Sequence, residues 1–241
     1  MALEIPASVT PATVAPDRAA APRHAVFVRV THWINAVATF ALIVSGVAIL
    51  LAHPRLYWGE TGAVGTPSLL DLPLPFMLTG QSGWGRSLHF LAAWITVLTG
   101  LLYVMLGAVT RHVQRDMLPG RADLSGASLA RTIGEHLRLR FIDAAHEHTY
   151  NVLQRLAYSA VVLLLFPLMI WSGLAMSPAV TSVFPVLVNV LGGHQSARTI
   201  HFFTAASIVL FIVVHLMMVS MSGFTLRMRS MLVGRTSRRP T

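Results

Sequence analysis

The chain contains no cysteine among its 241 residues, and only nine of its residues are acidic. Without thiols it cannot form disulfides, hold an iron–sulfur cluster through thiolates or attach haem through thioether bonds. Charged residues make up 11% of the composition, whereas hydrophobic residues make up 54%. A soluble globular domain has about a quarter of its residues charged, so the composition predicts an integral membrane protein.

Four long apolar runs account for this composition, at about residues 30–52, 87–110, 152–176 and 199–222. Each run is close to the ~20 residues that a helix needs to cross the hydrocarbon core of a bilayer. The runs predict an all-α fold, namely an integral membrane four-helix bundle of up-down topology. Pro167 lies inside the third run, and we expect it to kink that helix.

The placement of arginine predicts how these spans are oriented. All 18 basic residues are arginine, and on the side opposite to the termini there are only Arg55, Arg86 and Arg198. Basic residues favour the cytoplasmic face of a membrane, so both termini are predicted to be cytoplasmic. The same distribution argues against a nucleic-acid partner, because the charges follow the membrane topology.

The segments around the spans divide the chain into three parts. Residues 1–23 are rich in alanine and proline and lack the apolar core of a signal peptide, which predicts a disordered cytoplasmic tail. Residues 24–226 form the predicted four-span domain, and residues 227–241 form a basic cytoplasmic tail. The long extracytoplasmic connection at residues 53–86 is either a docking surface for a partner or a loop on the bundle's own rim. Residues 124–139 have the pattern of an interfacial amphipathic helix.

Four of the eleven histidines lie within the apolar runs or in their first turn: His32, His89, His201 and His215. Ionisable residues at membrane depth are costly and are functional candidates by default. His201 and His215 are fourteen residues apart, which places both on one stripe of the fourth helix, about 21 Å apart. The predicted orientation puts His32 at the cytoplasmic level with His215, and His89 at the extracytoplasmic level with His201. Neutral imidazole is a common iron ligand, so the pairs predict two haems with two axial ligands each.

Arginine stands three residues before three of these histidines, as Arg29, Arg86 and Arg198, and before none of the other eight. Residues three apart share a helix face, so each guanidinium lies one turn nearer to water, where haem propionates would emerge. The alternative is snorkelling arginine at the end of a span, which does not explain the selectivity for these three. Gly46 and Gly100 fall on or close to the ligand faces, where glycine lets a bulky ring approach or simply serves helix packing.

These residues form a set of motifs that resembles a known family. The motifs are Arg29-x-x-His32-Trp33, Gly85-Arg86-x-x-His89-Phe90, Tyr150-Asn151-x-x-Gln154-Arg155, and Arg198-x-x-His201 followed by His215. In this order, over residues 24–229, the chain is similar to the bacterial cytochrome b561 family. That family includes the cytochrome b subunits of nickel–iron hydrogenases and the gamma subunits of formate dehydrogenases.

The resemblance implies a bundle with two haem b groups in the bacterial inner membrane, which shuttles electrons between a quinone and an extracytoplasmic oxidoreductase subunit. The implied partner is of the molybdopterin-enzyme or hydrogenase type. The resemblance also implies a quinone site beside the cytoplasmic haem, at Asn151 and Gln154. Amide side chains can donate to a quinone carbonyl, and the alternative for these two residues is helix capping and interfacial solvation.

Two other functions stay open on the sequence. One is a stand-alone oxidoreductase coupled to quinone, acting for example on superoxide or a metal ion, and the other is a haem-free membrane anchor or transporter. The polar residues lie at two depths near the membrane faces, whereas simple transporters have polar sites at the midplane. The interpretation that we carry forward is an electron-transfer subunit of an oxidoreductase complex, with no substrate chemistry of its own.

Overall fold

The computed structural model describes residues 25–62, 65–74, 82–111, 152–221 and 223–234, and most of these residues are helical. The described elements are α1 (Val26–Ala52), β1 (Arg55–Leu56), β2 (Leu70–Asp71), α2 (Ser82–Val109), α3 (Val152–Ala160), a π-helical turn (Val161–Leu165), α4 (Phe166–Ala175), α5 (Pro178–Thr181), α6 (Val186–Asn189), α7 (His194–Met221) and α8 (Phe224–Leu232). We call the end of the bundle where α1 ends and α2 begins the outer end, and the opposite end the inner end.

Four helical segments are long and apolar enough to cross a membrane: α1, α2, the α3–α4 unit from Arg155, and α7. The predicted all-α membrane bundle is therefore confirmed. Helices α2 and α7 each begin more than a turn earlier than the apolar runs that predicted them. The early turns, residues 82–86 and 194–198, consist mostly of polar residues and glycine, which continue a helix without raising its hydropathy.

The helices pack through small side chains. Ala92, Ala175 and Ala197 are almost fully buried, whereas Phe40 and Leu210 are 70% and 64% exposed. No hydrophobic force draws helices together inside lipid, so close backbone approach over small residues supplies the packing contacts. The bulky apolar side chains then face outward, where lipid covers them in the membrane.

The bundle is built from two hairpins. Helix α1 packs along α2 to form the first hairpin, and α4 packs on α7 to form the second, together with α3. Inside the first hairpin, the Thr99 hydroxyl donates to Asn35 Oδ1 at 2.6 Å. The closest backbone packing is within each hairpin. Contacts between the hairpins therefore depend on side chains and on the connecting segments.

The third span contains an irregular turn ahead of Pro167. Residues Val161–Leu165 are π-helical, and the N–H of Phe166 donates to the carbonyl of Val161, five residues earlier. Proline has no N–H to offer to the carbonyl of the preceding turn, so the hydrogen-bond ladder shifts there. The sequence predicted an interruption at this proline, and the structure gives it the form of a wide turn.

The connection after α1 docks on the first turn of α7. The Gly59 carbonyl accepts the N–H groups of Gln195 and Ser196 at 3.0 and 3.3 Å, and the Gly59 N–H donates to Ser196 Oγ at 2.7 Å. Thr199 Oγ1 donates to the carbonyl of Tyr57 at 2.6 Å. This part of the connection therefore lies on the bundle's own rim, which was one of its two predicted placements.

A small β-structure also occurs in this connection, which the all-helical prediction did not include. Strands β1 and β2 pair antiparallel, with Arg55 opposite Asp71. The two side chains form an ion pair, with Arg55 Nε 3.0 Å from Asp71 Oδ2. The carboxylate raises the pKa of the Arg55 guanidinium. The Arg55 side chain therefore stays charged, and the exposed ion pair joins the start of the connection to its middle.

Helix α8 shows that the predicted basic tail is helical where it begins. It starts at Phe224, so the boundary expected at residue 227 falls inside this helix. At the inner end Arg29 Nη1 donates to the carbonyl of Leu232 at 3.0 Å, and Trp33 Nε1 to that of Met231 at 3.3 Å. These bonds satisfy carbonyls that have no partner within their own helix. Residues 1–23, 124–139 and 235–241, on which predictions were also made, lie outside the described residues.

Candidate functional site

The four membrane histidines lie in two pairs, one at each level of the bundle. The ring centres of His89 and His201, the outer pair, are 6.2 Å apart, and those of His32 and His215, the inner pair, are 6.4 Å apart. Each pair takes one residue from the first hairpin and one from α7. Because His201 and His215 are fourteen residues apart on one helix, the two pairs are separated by about 21 Å along it.

The spacing of the rings fits two imidazoles on opposite sides of one metal ion. A metal–imidazole bond is about 2 Å long and a ring nitrogen lies about 1 Å from its ring centre, so two such rings have centres about 6 Å apart. Among the described residues no three histidine or acidic side chains come together in one group. The donor set therefore fits a metal that brings its remaining ligands with it, as haem iron does through its four pyrrole nitrogens.

Two fully buried serines hold the rings of the outer pair. Ser45 Oγ lies 2.9 Å from His89 Nδ1, and Ser172 Oγ lies 3.0 Å from His201 Nδ1. Each hydroxyl also lies 2.7 Å from the carbonyl four residues earlier in its own helix. A hydroxyl has one proton and the carbonyl is its nearer partner, so we assign the serine oxygen as an acceptor of the Nδ1–H of histidine. The backbone of Leu42 is a further hydrogen-bond partner of His89, and the backbone of Met169 is one of His201. The lone pair of Nε2 is then the one available to a metal ion.

A glycine follows each of these serines and lies against the same ring. A Cβ added to Gly46 would stand 3.7 Å from His89 Cε1, and one added to Gly173 would stand 3.5 Å from His201 Cε1. The Nδ1–Cε1 edge of each ring therefore rests on a Ser-Gly pair of the neighbouring helix. Gly173 was not predicted from the sequence. Gly100, which was predicted, faces open space: beyond its own helix backbone, no heavy atom of the described residues lies within 4 Å of where its Cβ would be.

The inner pair is surrounded by aromatic rings. The imidazole of His215 stacks on Phe211 with ring centres 5.8 Å apart, and Tyr158 of α3 meets its edge at 6.4 Å. His32 lies 5.4 Å from the ring of its neighbour Trp33. Tyr158 therefore brings the third span to the inner level. The sequence prediction included neither Tyr158 nor Phe211, because one aromatic residue in an apolar run carries no signal of its own.

Two of the three predicted arginines lie together at the outer end. Arg198 Nη2 donates to the carbonyl of His53. Burial lowers the pKa of the His53 imidazole, and the positive charges of Arg198 and then Arg86 lower it further. Both guanidinium groups are therefore close to the same side chain. The outer end thus combines two positive charges with the first turns of the helices that carry His89 and His201.

The third arginine, Arg29, lies at the inner end, three residues before His32. Its Nη1 bonds the end of α8, while its Nε is buried and has no hydrogen-bond partner in the part of the chain that the structure describes. A buried donor without an acceptor is costly, and a carboxylate is the acceptor that best suits a guanidinium. A haem propionate is such a carboxylate, so this residue fits the group that the histidine pairs would hold.

The residues predicted for a quinone are only partly described. Asn151 lies outside the described residues, and Gln154 belongs to α3 without a described side chain. Its position in the helix is one turn before Tyr158. Residues four apart share a helix face, and Tyr158 contacts His215. The helix position of Gln154 is therefore one turn from a residue that contacts the inner pair.

Comparison with known proteins gives two matches. The family model described as prokaryotic cytochrome b561 matches residues 23–234. A protein of Azospira oryzae, named "Putative protein-methionine-sulfoxide reductase subunit YedZ1", is 29% identical over 208 residues, which cover 84% of this chain and 92% of that protein. No solved structure matches the chain significantly.

Proposed function

The chain belongs to the prokaryotic cytochrome b561 family, whose members bind haem b in the membrane, and from this premise we propose that it carries two haems and transfers electrons between quinone and an extracytoplasmic oxidoreductase. The observation that carries the proposal is the pairing of the four histidines, with ring centres 6.2 and 6.4 Å apart at two levels. The outer end would face the extracytoplasmic side of the bacterial inner membrane, as the arginine distribution predicts.

The four histidines would hold both groups. Haem, when bound, would supply a reversible one-electron iron couple. His89 and His201 would hold the outer group, and His32 and His215 the inner one. Ligation by two histidines at each level would leave no place at the metal for oxygen or a substrate. The role of the protein is therefore to hold the haems, to bury them and to orient them.

The arginines would bind the propionates. Arg86 and Arg198 at the outer end, and Arg29 at the inner end, each lie one turn from a histidine of the pairs, on the side nearer to water. The buried Nε of Arg29 supports this role, because it has no acceptor among the described residues. A guanidinium can bind a carboxylate through two parallel hydrogen bonds, which also fixes the orientation of the carboxylate.

The quinone would bind at the inner level, beside the start of the third span. Gln154 stands one turn before Tyr158, whose ring meets the edge of His215. An amide or a phenol can donate to a quinone carbonyl. We assign Asn151 and Gln154 as the donors, as the family resemblance implies, with His215 on the path to the inner group.

The partner would be an oxidoreductase that docks at the outer end. The Azospira relative is named a subunit of a protein-methionine-sulfoxide reductase, which supports a partner that consumes electrons. Electrons would then flow from quinol at the inner level to the partner at the outer level. Of the two partner types that the family implies, this favours a molybdopterin-type reductase over a hydrogenase.

A spectrum and a haem assay of the detergent-purified chain test the proposal. We expect the reduced protein to show b-type bands and two haems per chain. We also expect a soluble quinol to reduce them, and the co-purified oxidoreductase to reoxidise them. His194→Ala is the matched control, because His194 is exposed at the start of α7 and should leave both haems in place. A folded protein without iron would refute the proposal, and turnover with superoxide in the absence of any partner would favour the stand-alone enzyme.

A further inference from the structure

Ser45 and Ser172 repeat the same arrangement in two unrelated stretches of the chain. In each hairpin, a serine in the outer part of one span lies beside Nδ1 of a histidine on the other span, at 2.9 and 3.0 Å. In each case the next residue is a glycine that contacts Cε1 of the same ring. Both serines have no exposed surface. Two matching arrangements, contributed by separate hairpins, indicate a requirement of the site rather than an accident of packing.

We propose that Ser45 and Ser172 are positioning residues that fix the tautomer of His89 and His201 and set the reduction potential of the outer haem. This rests on the proposed haem ligation. The serine oxygen occupies the Nδ1 side of each ring at hydrogen-bond distance, so a metal ion can approach only Nε2. The hydrogen bond from Nδ1–H also fixes the rotation of the ring about its own side chain.

The electronic effect follows from the direction of this hydrogen bond. An acceptor at Nδ1–H makes the imidazole a stronger electron donor to the metal. A stronger donor stabilises oxidised iron relative to reduced iron, and so lowers the reduction potential. No water reaches the buried serines to weaken the bond. Both axial ligands of the outer haem have this support, whereas the described contacts of the inner pair are aromatic rings.

The alternative is that each serine serves only its own helix. Ser207 and Ser220 of α7 do so, since each donates to the carbonyl four residues earlier and is exposed. Ser45 and Ser172 make that same bond and, in addition, meet a histidine nitrogen. Ser207→Ala and Ser220→Ala therefore remove a serine of the ordinary kind from the helix that carries His201, and are the matched controls.

A redox titration of the purified two-haem protein tests the proposal, with Ser45→Ala and Ser172→Ala compared with the controls. Mutation of the hydrogen-bond partner of a metal-bound histidine typically lowers metal affinity or activity by about 10–100-fold. We expect each variant to shift the oxidised-to-reduced ratio of one haem about tenfold toward the reduced form, or about 59 mV for one electron. The same haem should respond to both variants, and Ser172→Thr, which keeps the hydroxyl, should stay close to the parent potential.

Haem content separates the possible failures. If the parent chain binds fewer than two haems, the proposed function fails before the serines are considered. If both haems are present and neither potential moves in Ser45→Ala or Ser172→Ala, the serines are structural and the inference is overturned. If a variant loses haem, the electron paramagnetic resonance spectrum of the oxidised haem that remains bound distinguishes the two roles. A changed outer-haem signal supports the positioning role, and an unchanged one refutes it.

Discussion

The two histidine pairs have nearly the same ring spacing but different surroundings. The outer pair rests on buried serine hydroxyls and on glycines, and the connection docked on α7 closes the bundle above it. The inner pair lies among Trp33, Tyr158 and Phe211. Hydrogen bonds are directional and fix a ring in one orientation, whereas aromatic contacts tolerate several. The outer site is therefore held more rigidly, and the inner site is softer and more apolar.

This difference matches the tasks in the proposed function. A haem that passes electrons to a docked protein benefits from a fixed position, because the partner meets it at a fixed distance. A site that exchanges quinone has to admit a large apolar molecule from the bilayer, so adaptable aromatic walls suit it. The comparison predicts that damage to the outer level disturbs the fold more than equal damage to the inner level.

The largest effect is expected from the loss of one histidine at each level. His201→Ala should reduce the haem content from two to one and lower the melting temperature markedly, because a partly buried side chain that joins the two hairpins is lost. Truncation of a large buried side chain typically costs about 2–5 kcal/mol. His32→Ala should also remove one haem, together with the quinone reaction, but with a smaller loss of stability. Haem assay and thermal unfolding measure both.

Equal melting temperatures for the two variants would show that the levels are equally rigid, against the comparison. Retention of both haems in His201→Ala would contradict the ligand assignment itself. Retained quinone reduction in His32→Ala would argue against an inner quinone site.

A smaller effect should follow from breaking the dock of the connection on α7. A Cβ at Gly193 would stand 2.6 Å from the Gly59 carbonyl oxygen, and Gly193 has a φ of +110°. Gly193→Ala should therefore cost about 1–3 kcal/mol from overpacking in addition to the strain of a left-handed backbone. Gly223→Ala is the control, since Gly223 has a φ of +89° and no neighbour within 4 Å. Thermal unfolding should show the larger loss for Gly193→Ala, and equal losses would mean that the dock does not stabilise the bundle.

The smallest effect concerns pH and the outer end. Burial, with the charges of Arg198 and Arg86, lowers the pKa of His53 in the folded protein. As the pH falls through about 6.5, the unfolded chain takes up the proton first. The contribution of His53 to stability is therefore fully present above a pH of about 6.5. It declines as the pH falls from there to the lower pKa of His53 in the folded protein. His53→Gln should flatten the dependence of melting temperature on pH between about 7 and 5, and an unchanged slope would exclude His53 as its source.

The sequence predicted the spans because hydropathy and arginine placement are local signals. It also led to the expectation that His32 pairs with His215 and His89 with His201, since helix geometry and membrane depth determine which residues share a level. The structure brings both pairs together, and their role as ligands stays a prediction. Gln154 and Asn151 were assigned through resemblance alone, and the described residues do not test them.

The serine contacts could not be predicted, because Ser45 and His89 are 44 residues apart and their meeting depends on how α1 rotates against α2. A weak signal was nevertheless available. The chain has five Ser-Gly dipeptides, and only those at Ser45 and Ser172 lie wholly inside an apolar run. The docking of Gly59 on Ser196 had no such signal, since it depends on backbone groups that every residue carries.

Each histidine pair spans the seam between the two hairpins, and on the proposed ligation this has a consequence for biogenesis. Neither hairpin alone contains both histidines of a pair. A chain with only one hairpin inserted could therefore bind each cofactor through one imidazole only. Tight binding of the iron would begin when the second hairpin has packed against the first with the paired histidines at the same level. Tight binding of the cofactor would then occur only after both hairpins are inserted in the membrane. The bound cofactor would also hold the two hairpins together.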